Sequence, residues 1–338
     1  MARLAWLPIP LLLVTIIALW AADLEASHDS PYLVIVLNFI FSVLASLFSA
    51  YLIGRSFLVT RSPGLLLLGC GMVIWGLAGI VGTVAGLAGA PPVVIHNTCV
   101  WISAGCHLAG VIISLGSTRK LRAGRLWLAG GYVAALGAVA LVALLALAGW
   151  LPTFFVQGQG GTMVREMVLG SAVAMFAFTA ILLWTGSRGA VSAFTQWYVL
   201  ALALIAVGLF GVMVQASTGT LVGWTGRAAQ FLGGAYMLVA AFASRREPGL
   251  PGIPLAQAMI EARYRYPAAI ALAAAAAVVR LTFLSPLGSQ APFATFYPAV
   301  LLAALYGGVG PGLVAGALST ILADFFSSCW SAPNSGSR

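Results

Sequence analysis

Charged residues are scarce in this sequence. Only 7% of its 338 residues are Asp, Glu, Lys or Arg, whereas 62% are hydrophobic. The surface of a soluble globular protein is roughly 25–35% charged, so this composition excludes a soluble globular protein. Apolar runs of roughly 20 residues, the length that crosses a bilayer as a helix, recur along the chain. We expect an all-α, polytopic integral membrane protein with about 10–11 transmembrane segments, including a short helical hairpin near the C-terminus.

Motifs of soluble enzymes and metal sites are also missing. The sequence contains no GxxxxGK[ST], HExxH or GxSxG pattern. Its four cysteines show no CxxC spacing, and three of them lie inside apolar runs. Neither a disulfide framework nor a zinc ribbon is expected from that spacing. We therefore predict no catalytic residue, no metal and no cofactor in this chain.

The apolar runs and the arginines together predict a topology. Basic residues gather at the N-terminus and in alternate breaks between runs, which predicts a cytoplasmic N-terminus. The net charge of +9 then reflects topology and contact with membrane lipids, and we expect no nucleic acid partner. Residues 4–22 fit a retained anchor better than a cleaved signal peptide, the alternative, because Trp20 suits a cleavage site badly. The spans are predicted at 4–22, 32–53, 64–84, 94–115, 126–148, 166–185, 196–215, 228–243 and 267–284, followed by the stretch 292–326.

A change in composition divides the chain. Residues 244–266, "SRREPGLPGIPLAQAMIEARYRY", carry four arginines and three prolines between two apolar regions. We interpret them as a basic cytoplasmic linker. The sequence thus predicts an eight-helix membrane sensor unit at 1–243, a smaller membrane unit at 267–326, and a polar tail at 327–338.

The helix predicted at 94–115 holds two of the three histidines in the chain. His96, Ser103, His107 and Ser114 fall within about 20° of one line at 100° per residue. Polar groups inside a membrane usually face a bundle interior or a cavity, so this stripe is our candidate sensing face. The alternatives are plain hydrogen-bonded packing and a soft-metal site formed by His28, His96 and Cys99.

A second polar stripe lies on the predicted helix 32–53. Asn38, Ser42, Ser46 and Ser49 recur at helical spacing. Hydrogen bonding between helices explains such a stripe. No acidic residue lies at the centre of a span in residues 1–243, which disfavours an ion-coupled carrier.

The stretch "PFATFYPAVLLAALYGGVGPGLVAGALSTILADFF", 292–326, is apolar yet interrupted. Glycine and proline would leave backbone groups unsatisfied in hydrocarbon. A tight turn between two short spans, 297–306 and 311–326, avoids that cost, and the proline suits the first turn of the second helix. The predicted structural turn comprises Gly307, Gly308, Gly310, Pro311 and Gly312.

The same stretch resembles the four-helix transmembrane domain of KdpD-type sensor histidine kinases. The Phe-Tyr-Pro entry, the Gly-Gly-x-Gly-Pro-Gly turn and the Ala-Asp-Phe-Phe exit carry the resemblance, which covers 267–326. Where the family has a fourth helix, this sequence has "SSCWSAPNSGSR", and no phospho-acceptor helix or ATP-binding region follows. The sequence leaves open whether the chain is truncated, frameshifted or complete.

The resemblance implies a membrane-embedded, signal-sensing input module of a two-component sensor histidine kinase that lacks the catalytic part. It also implies a location in the bacterial inner membrane, a homodimer, and an unknown small ligand or ion as the signal. Enzymatic activity belongs to the longer relatives, as phosphotransferases. The alternative function is a small-molecule permease or channel.

Overall fold

The structure is a computed structural model, and it describes residues 4–22, 37–87, 89, 91–116, 120–156, 160–186, 193–215, 217, 219–243, 262–283, 296–307 and 309–331. These residues are helical apart from short connections and one small β-ladder, and the all-α, polytopic fold class is confirmed. Each apolar run predicted as a span overlaps a helix in the described part of the chain, because backbone groups in hydrocarbon must bond within their own segment. The helices are α1 (Pro8–Ala21), α2 (Ala45–Thr60), α3 (Pro63–Leu87), α4 (Pro92–Gly116), α5 (Gly124–Leu147), α6 (Met163–Gly186), α7 (Ala193–Val214), α8 (Leu221–Ala243), α9 (Ala262–Phe283), α10 (Phe296–Gly307) and α11 (Val309–Ser331).

Six helical segments in the described part are long and apolar enough to cross a membrane. Two more, Pro8–Ala21 and Tyr266–Val278, are apolar but shorter. The predicted total of about 10–11 spans therefore stays a prediction. The six are Asn38–Thr60, Pro63–Gly82, Pro92–Gly116, Gly124–Leu147, Met163–Gly186 and Ala193–Val214.

The segment before α2 departs from regular α-helix. Asn38–Leu44 is π-helical and runs directly into α2. Bonding from i to i+5 widens the helix and changes which side chains share a face. The simple spacing of four used for the second polar stripe therefore does not hold over its first half.

The chain divides into two units. One comprises Met1–Pro31 and Phe41–Leu250, and the other Tyr32–Ile40 and Pro251–Arg338. In the first, large side chains from several helices form one core, including Trp75, Ile95 and Phe176. The second has smaller, alanine-rich cores, and the helices concerned are α9, α10 and α11. The domain limits predicted from sequence stay a prediction.

Two helices of the second unit extend beyond the spans predicted from sequence. Residues 262–266, assigned to the linker, begin α9, and residues 327–331, assigned to the polar tail, continue α11. Neither "ARYRY" nor "SSCWS" contains glycine or proline, so neither stops a helix. The rest of the linker and of the tail lies outside the described residues.

A two-stranded antiparallel ladder, absent from the sequence prediction, joins α5 to α6. Strand β1 (Phe155–Val156) pairs with β2 (Gly160–Gly161). Thr162 closes the ladder, because its hydroxyl donates to the Thr153 carbonyl at 2.8 Å. The ladder therefore fixes the chain just before α6 begins.

Helices α10 and α11 form the antiparallel hairpin expected near the C-terminus. A Cβ at Gly312 would lie 2.7 Å from the Cβ of Ala304, and one at Gly316 would lie 4.0 Å from Val300. Pairing of 312 with 304 and of 316 with 300 requires opposite helix directions. Close approach at Gly312 thus depends on the missing side chain.

Candidate functional site

The centre of the predicted stripe on α4 is a buried pair, Ser103 and His107. They are 0% and 1% exposed. Nδ1 of His107 lies 2.7 Å from the backbone carbonyl of Ser103, one turn earlier. A carbonyl oxygen can only accept, so this distance places a proton on Nδ1. In neutral His107, Nε2 is therefore an acceptor, and it has no hydrogen-bond partner among the described residues.

Helix α3 approaches this pair at Gly71. The Ser103 hydroxyl donates to the Gly71 carbonyl at 2.8 Å. A Cβ at Gly71 would lie 2.5 Å from Nδ1 of His107 and 3.2 Å from the Cβ of Cys106. Only glycine allows α3 and α4 to approach this closely here.

Aromatic rings from α6 and α7 cover the other sides of His107. The Phe176 ring is 5.4 Å away at 56°, and the Tyr198 ring is 6.2 Å away at 20°, nearly parallel to the imidazole. Tyr198 is 2% exposed, and its hydroxyl also has no hydrogen-bond partner among the described residues. Two buried polar atoms, an acceptor and a hydroxyl, thus share an aromatic environment made by three helices.

The aromatic contacts extend from His107 to His96. Trp75 of α3 packs edge-on against Phe176 at 5.7 Å and lies 6.4 Å from the His96 ring. His96 is half-buried, whereas His107 is buried. The two histidines therefore belong to separate environments joined by Trp75 and Phe176.

Ser114, the last member of the stripe, lies at the C-terminal end of α4. It is exposed, and a Cβ at Gly64 would collide with its hydroxyl. The structure thus brings together Ser103 and His107 but leaves His96 and Ser114 in other surroundings. The sensing role predicted for the stripe remains a prediction.

The second stripe is buried over its C-terminal half. Ser42, Ser46 and Ser49 are 7%, 1% and 3% exposed, whereas Asn38 is half-buried. Ser46 packs against Gly76 of α3, where an added Cβ would lie 3.0 Å from its Cβ. The hydroxyls of Ser46 and Ser49 have no hydrogen-bond partner among the described residues. Interhelical hydrogen bonds, the explanation offered from sequence, are therefore not formed by these two hydroxyls within that part of the chain.

Sequence reasoning missed Arg165, which stands one residue before the predicted span 166–185. Arg165 lies on the first turn of α6, is 1% exposed, and donates to the carbonyls of Met213 at 3.2 Å and Val212 at 2.6 Å. These carbonyls belong to the C-terminal turn of α7, where a cation also matches the helix dipole. The Phe155 ring of β1 lies 5.8 Å from the guanidinium carbon. An arginine so close to a predicted span was the available signal.

The predicted structural turn divides between the two hairpin helices. Gly307 ends α10, and Gly310, Pro311 and Gly312 lie in the first turn of α11. Gly308 lies outside the described residues. The proline therefore stands where its missing N–H is tolerated.

The soft-metal alternative receives no support from the part of the chain that is described. No group of three or more His, Cys, Asp or Glu side chains there is placed to hold a metal ion. His28 lies outside the described residues, and Cys99 is 0% exposed on α4. Cys70, Cys99 and Cys106 are free thiols.

Comparison with known proteins gives one match. Residues 266–328 match the family described as "Domain of unknown function (DUF4118)", a domain found in sensor kinases such as KdpD-like proteins. No curated protein and no solved structure matches the chain. The matched residues contain most of α9, all of α10 and most of α11. The chain is thus an all-α, multi-pass membrane protein with a DUF4118 match near its C-terminal end.

Proposed function

We propose that this chain is the membrane-embedded, signal-sensing input module of a bacterial two-component sensor histidine kinase. The observation that carries the proposal is the DUF4118 match at 266–328, because this domain occurs in sensor kinases. The KdpD-type resemblance of the hairpin sequence points the same way. Phosphotransfer is assigned to a cytoplasmic catalytic part of the kinase, since no catalytic motif occurs in this sequence.

The signal is received in the helical unit that precedes the matched domain. His107 Nε2 and the Tyr198 hydroxyl are the polar atoms offered to a ligand, because both are buried and have no hydrogen-bond partner among the described residues. A small molecule or hydrated ion that can donate to Nε2 fits this arrangement. Binding would shift α4 against α6 and α7, the helices that carry the aromatic contacts.

The module works in the bacterial inner membrane with its N-terminus in the cytoplasm. The arginine distribution supports this orientation. Residues 244–266 are then cytoplasmic. The working unit is a homodimer surrounded by membrane lipids, since sensor kinases signal between paired chains.

A signalling chimera tests the proposal. The full chain is joined, through the fourth helix of a KdpD-type kinase, to that kinase's catalytic part, and autophosphorylation is measured in inverted membrane vesicles. We expect phosphorylation to respond to ionic strength, lipid composition or a screened small solute, and the response to be lost in His107→Ala. The same catalytic part joined to an unrelated membrane anchor is the control.

A chimera that is phosphorylated equally under every condition would contradict the sensing proposal. Reconstituted vesicles then address the alternative, a small-molecule permease or channel. Saturable or conductive flux of a solute through the purified chain, with no effect on the chimera, would favour transport. The DUF4118 match does not favour that alternative.

A further inference from the structure

Two connections of the first unit meet at one end of its helices. The α2–α3 turn contains Arg61, and the α4–α5 connection contains Leu121, whose backbone N–H donates to the Arg61 carbonyl at 2.9 Å. The Arg61 side chain continues to the first residue of α5, where a Cβ at Gly124 would lie 2.7 Å from the guanidinium carbon. Arg61 is therefore held over the N-terminus of α5.

Both connections hold a residue in the left-handed region. Arg61 has φ 60° and Ala123 has φ 53°, and they are the two non-glycine residues with positive φ in the described part of the chain. A side chain other than glycine or asparagine is strained there, and such strain concentrates at functional sites. Glycine would adopt this backbone conformation without strain, yet position 61 is an arginine.

Basic residues flank the two positions of the α4–α5 connection that Arg61 contacts, Leu121 and Gly124. Lys120, Arg122 and Arg125 are exposed, Arg61 is half-buried, and the sequence has no Asp or Glu between Asp29 and Glu166. Glu166 lies at the end of α6 that is far from this connection. The near end of α6 is Gly186, which meets Leu115 at the end of α4. Twenty residues of helix separate Glu166 from Gly186, about 30 Å.

We propose that Arg61, Lys120, Arg122 and Arg125, which we call the paired-turn surface, bind the phosphate of an anionic phospholipid headgroup. The surface lies where membrane helices α2, α3, α4 and α5 end or begin, which is headgroup depth. Trp127 and Leu126, just inside α5, are 52% and 75% exposed, as side chains facing lipid are. Arginine forks and the N–H groups of α5, whose first turn has no side-chain cap, match phosphate oxygens. The inference does not depend on the sensor-kinase proposal.

Lipid binding to the purified full chain tests it. Dioleoylphosphatidylglycerol or dioleoylphosphatidylcholine is titrated into detergent-solubilised protein, and retained lipid is counted by native mass spectrometry. We expect the anionic lipid to bind the wild-type chain and the triple variant Lys120→Gln, Arg122→Gln, Arg125→Gln to bind it at least about tenfold more weakly. Arg61→Asn should also weaken binding while keeping the fold, because asparagine tolerates positive φ.

The control is Arg245→Gln with Arg246→Gln, which removes basic charge from a different segment of the sequence. Equal loss of binding in this control would overturn the proposal, as would equal binding of the two lipids by the wild type. Retained binding in Arg61→Asn and in the triple variant would overturn it too. The titration is repeated with millimolar inorganic phosphate present. Displacement of the lipid by phosphate would show that the surface binds a soluble anion rather than a lipid headgroup. Elution volume and lipid-free melting temperature, unchanged from wild type, show that each variant is folded.

Discussion

His107 and Tyr198 lie nearly face to face between α4 and α7, with ring centroids 6.2 Å apart and planes 20° apart. Each carries one buried polar atom without a hydrogen-bond partner among the described residues. Burying a polar atom without a hydrogen bond costs free energy, and apolar side chains of similar shape would pack there without that penalty. Within the predicted stripe, His107 is therefore the residue at which we expect a ligand to bind, with Tyr198 of α7 beside it.

Tyr198→Phe separates packing from ligand binding. Removing an unsatisfied buried hydroxyl should leave the free energy of unfolding unchanged or raise it by up to about 1–3 kcal/mol. The melting temperature should therefore stay the same or rise. If the hydroxyl binds the signal, the chimera's response should fall. Thermal melting and phosphorylation are measured on the same variant, with His96→Ala as the comparison. A Tyr198→Phe chimera with a wild-type response, together with a silent His107→Ala, would favour plain packing.

Gly71→Ala should disturb the His107 site. The added methyl would lie 2.5 Å from Nδ1 and 2.6 Å from Cε1 of the imidazole, so helix or ring must move. We expect a loss of about 1–3 kcal/mol in stability and a weakened chimera response. Gly105→Ala on α4 is the matched control, because nothing lies within 4 Å of its Cβ position. That change should be neutral or stabilise by roughly 0.5–1 kcal/mol, and equal effects of the two variants would contradict the close approach at Gly71.

Arg165→Ala should destabilise the end of α7. It removes two charge-assisted hydrogen bonds to the carbonyls of Val212 and Met213, at a cost of about 2–4 kcal/mol. Arg165→Lys retains the charge but loses the planar fork, so it should fall between wild type and alanine. Melting of the detergent-solubilised chain measures both. Wild-type melting in Arg165→Ala would show that the cap does not contribute.

Gly312→Ala should strain the α10–α11 hairpin. Its methyl would lie 2.7 Å from the Cβ and 3.0 Å from the Cα of Ala304, and the Cα cannot move without its helix. We expect about 1–3 kcal/mol of destabilisation. Gly316→Ala should be tolerated, since Val300 stands at an ordinary 4.0 Å. The melting temperatures of the two variants should therefore differ, and identical values would argue against close packing at Gly312.

The topology proposal predicts where residue 338 emerges. With α9 running outward, α10 inward and α11 outward, the chain end lies outside the cytoplasm. Helix α11 has 23 residues and is about 34 Å long, which is enough for one crossing. Helix α10 has 12 residues and is about 18 Å long, shorter than the ~30 Å hydrocarbon core, so its crossing is what this experiment tests. Phosphatase fused after Arg338 should be active. Cytoplasmic fluorescence of a fused reporter without phosphatase activity would mean that α10 and α11 do not both cross.

The positions of the helices could be predicted from sequence because the rule is local. A backbone in hydrocarbon must satisfy its own hydrogen bonds, so an apolar run of sufficient length becomes a helix whatever surrounds it. The hairpin at 307–312 follows from the same rule, since glycine and proline mark where the helix stops. The predicted helix ends were least accurate at 262–266 and 327–331, where basic, aromatic and polar residues continue a helix.

The polar stripe on α4 was also readable from sequence, since helical geometry alone aligns Ser103 with His107. What surrounds His107 was not. Gly71, Phe176 and Tyr198 come from three other helices, and only packing brings their side chains to one point. Composition says that a membrane helix is apolar but not which neighbour each face meets, because the contacts join residues far apart in the chain.

Arg165 and Arg61 show the same division between sequence and structure. By itself the sequence determined an all-α membrane protein, the positions of its apolar helices, and the collection of arginines near helix ends, because hydrophobicity and charge act residue by residue. The tertiary structure decided that Arg165 caps α7 and that Arg61 extends over the start of α5. Those roles depend on which helix ends come together, and that depends on the packing of whole helices rather than on any local run of residues.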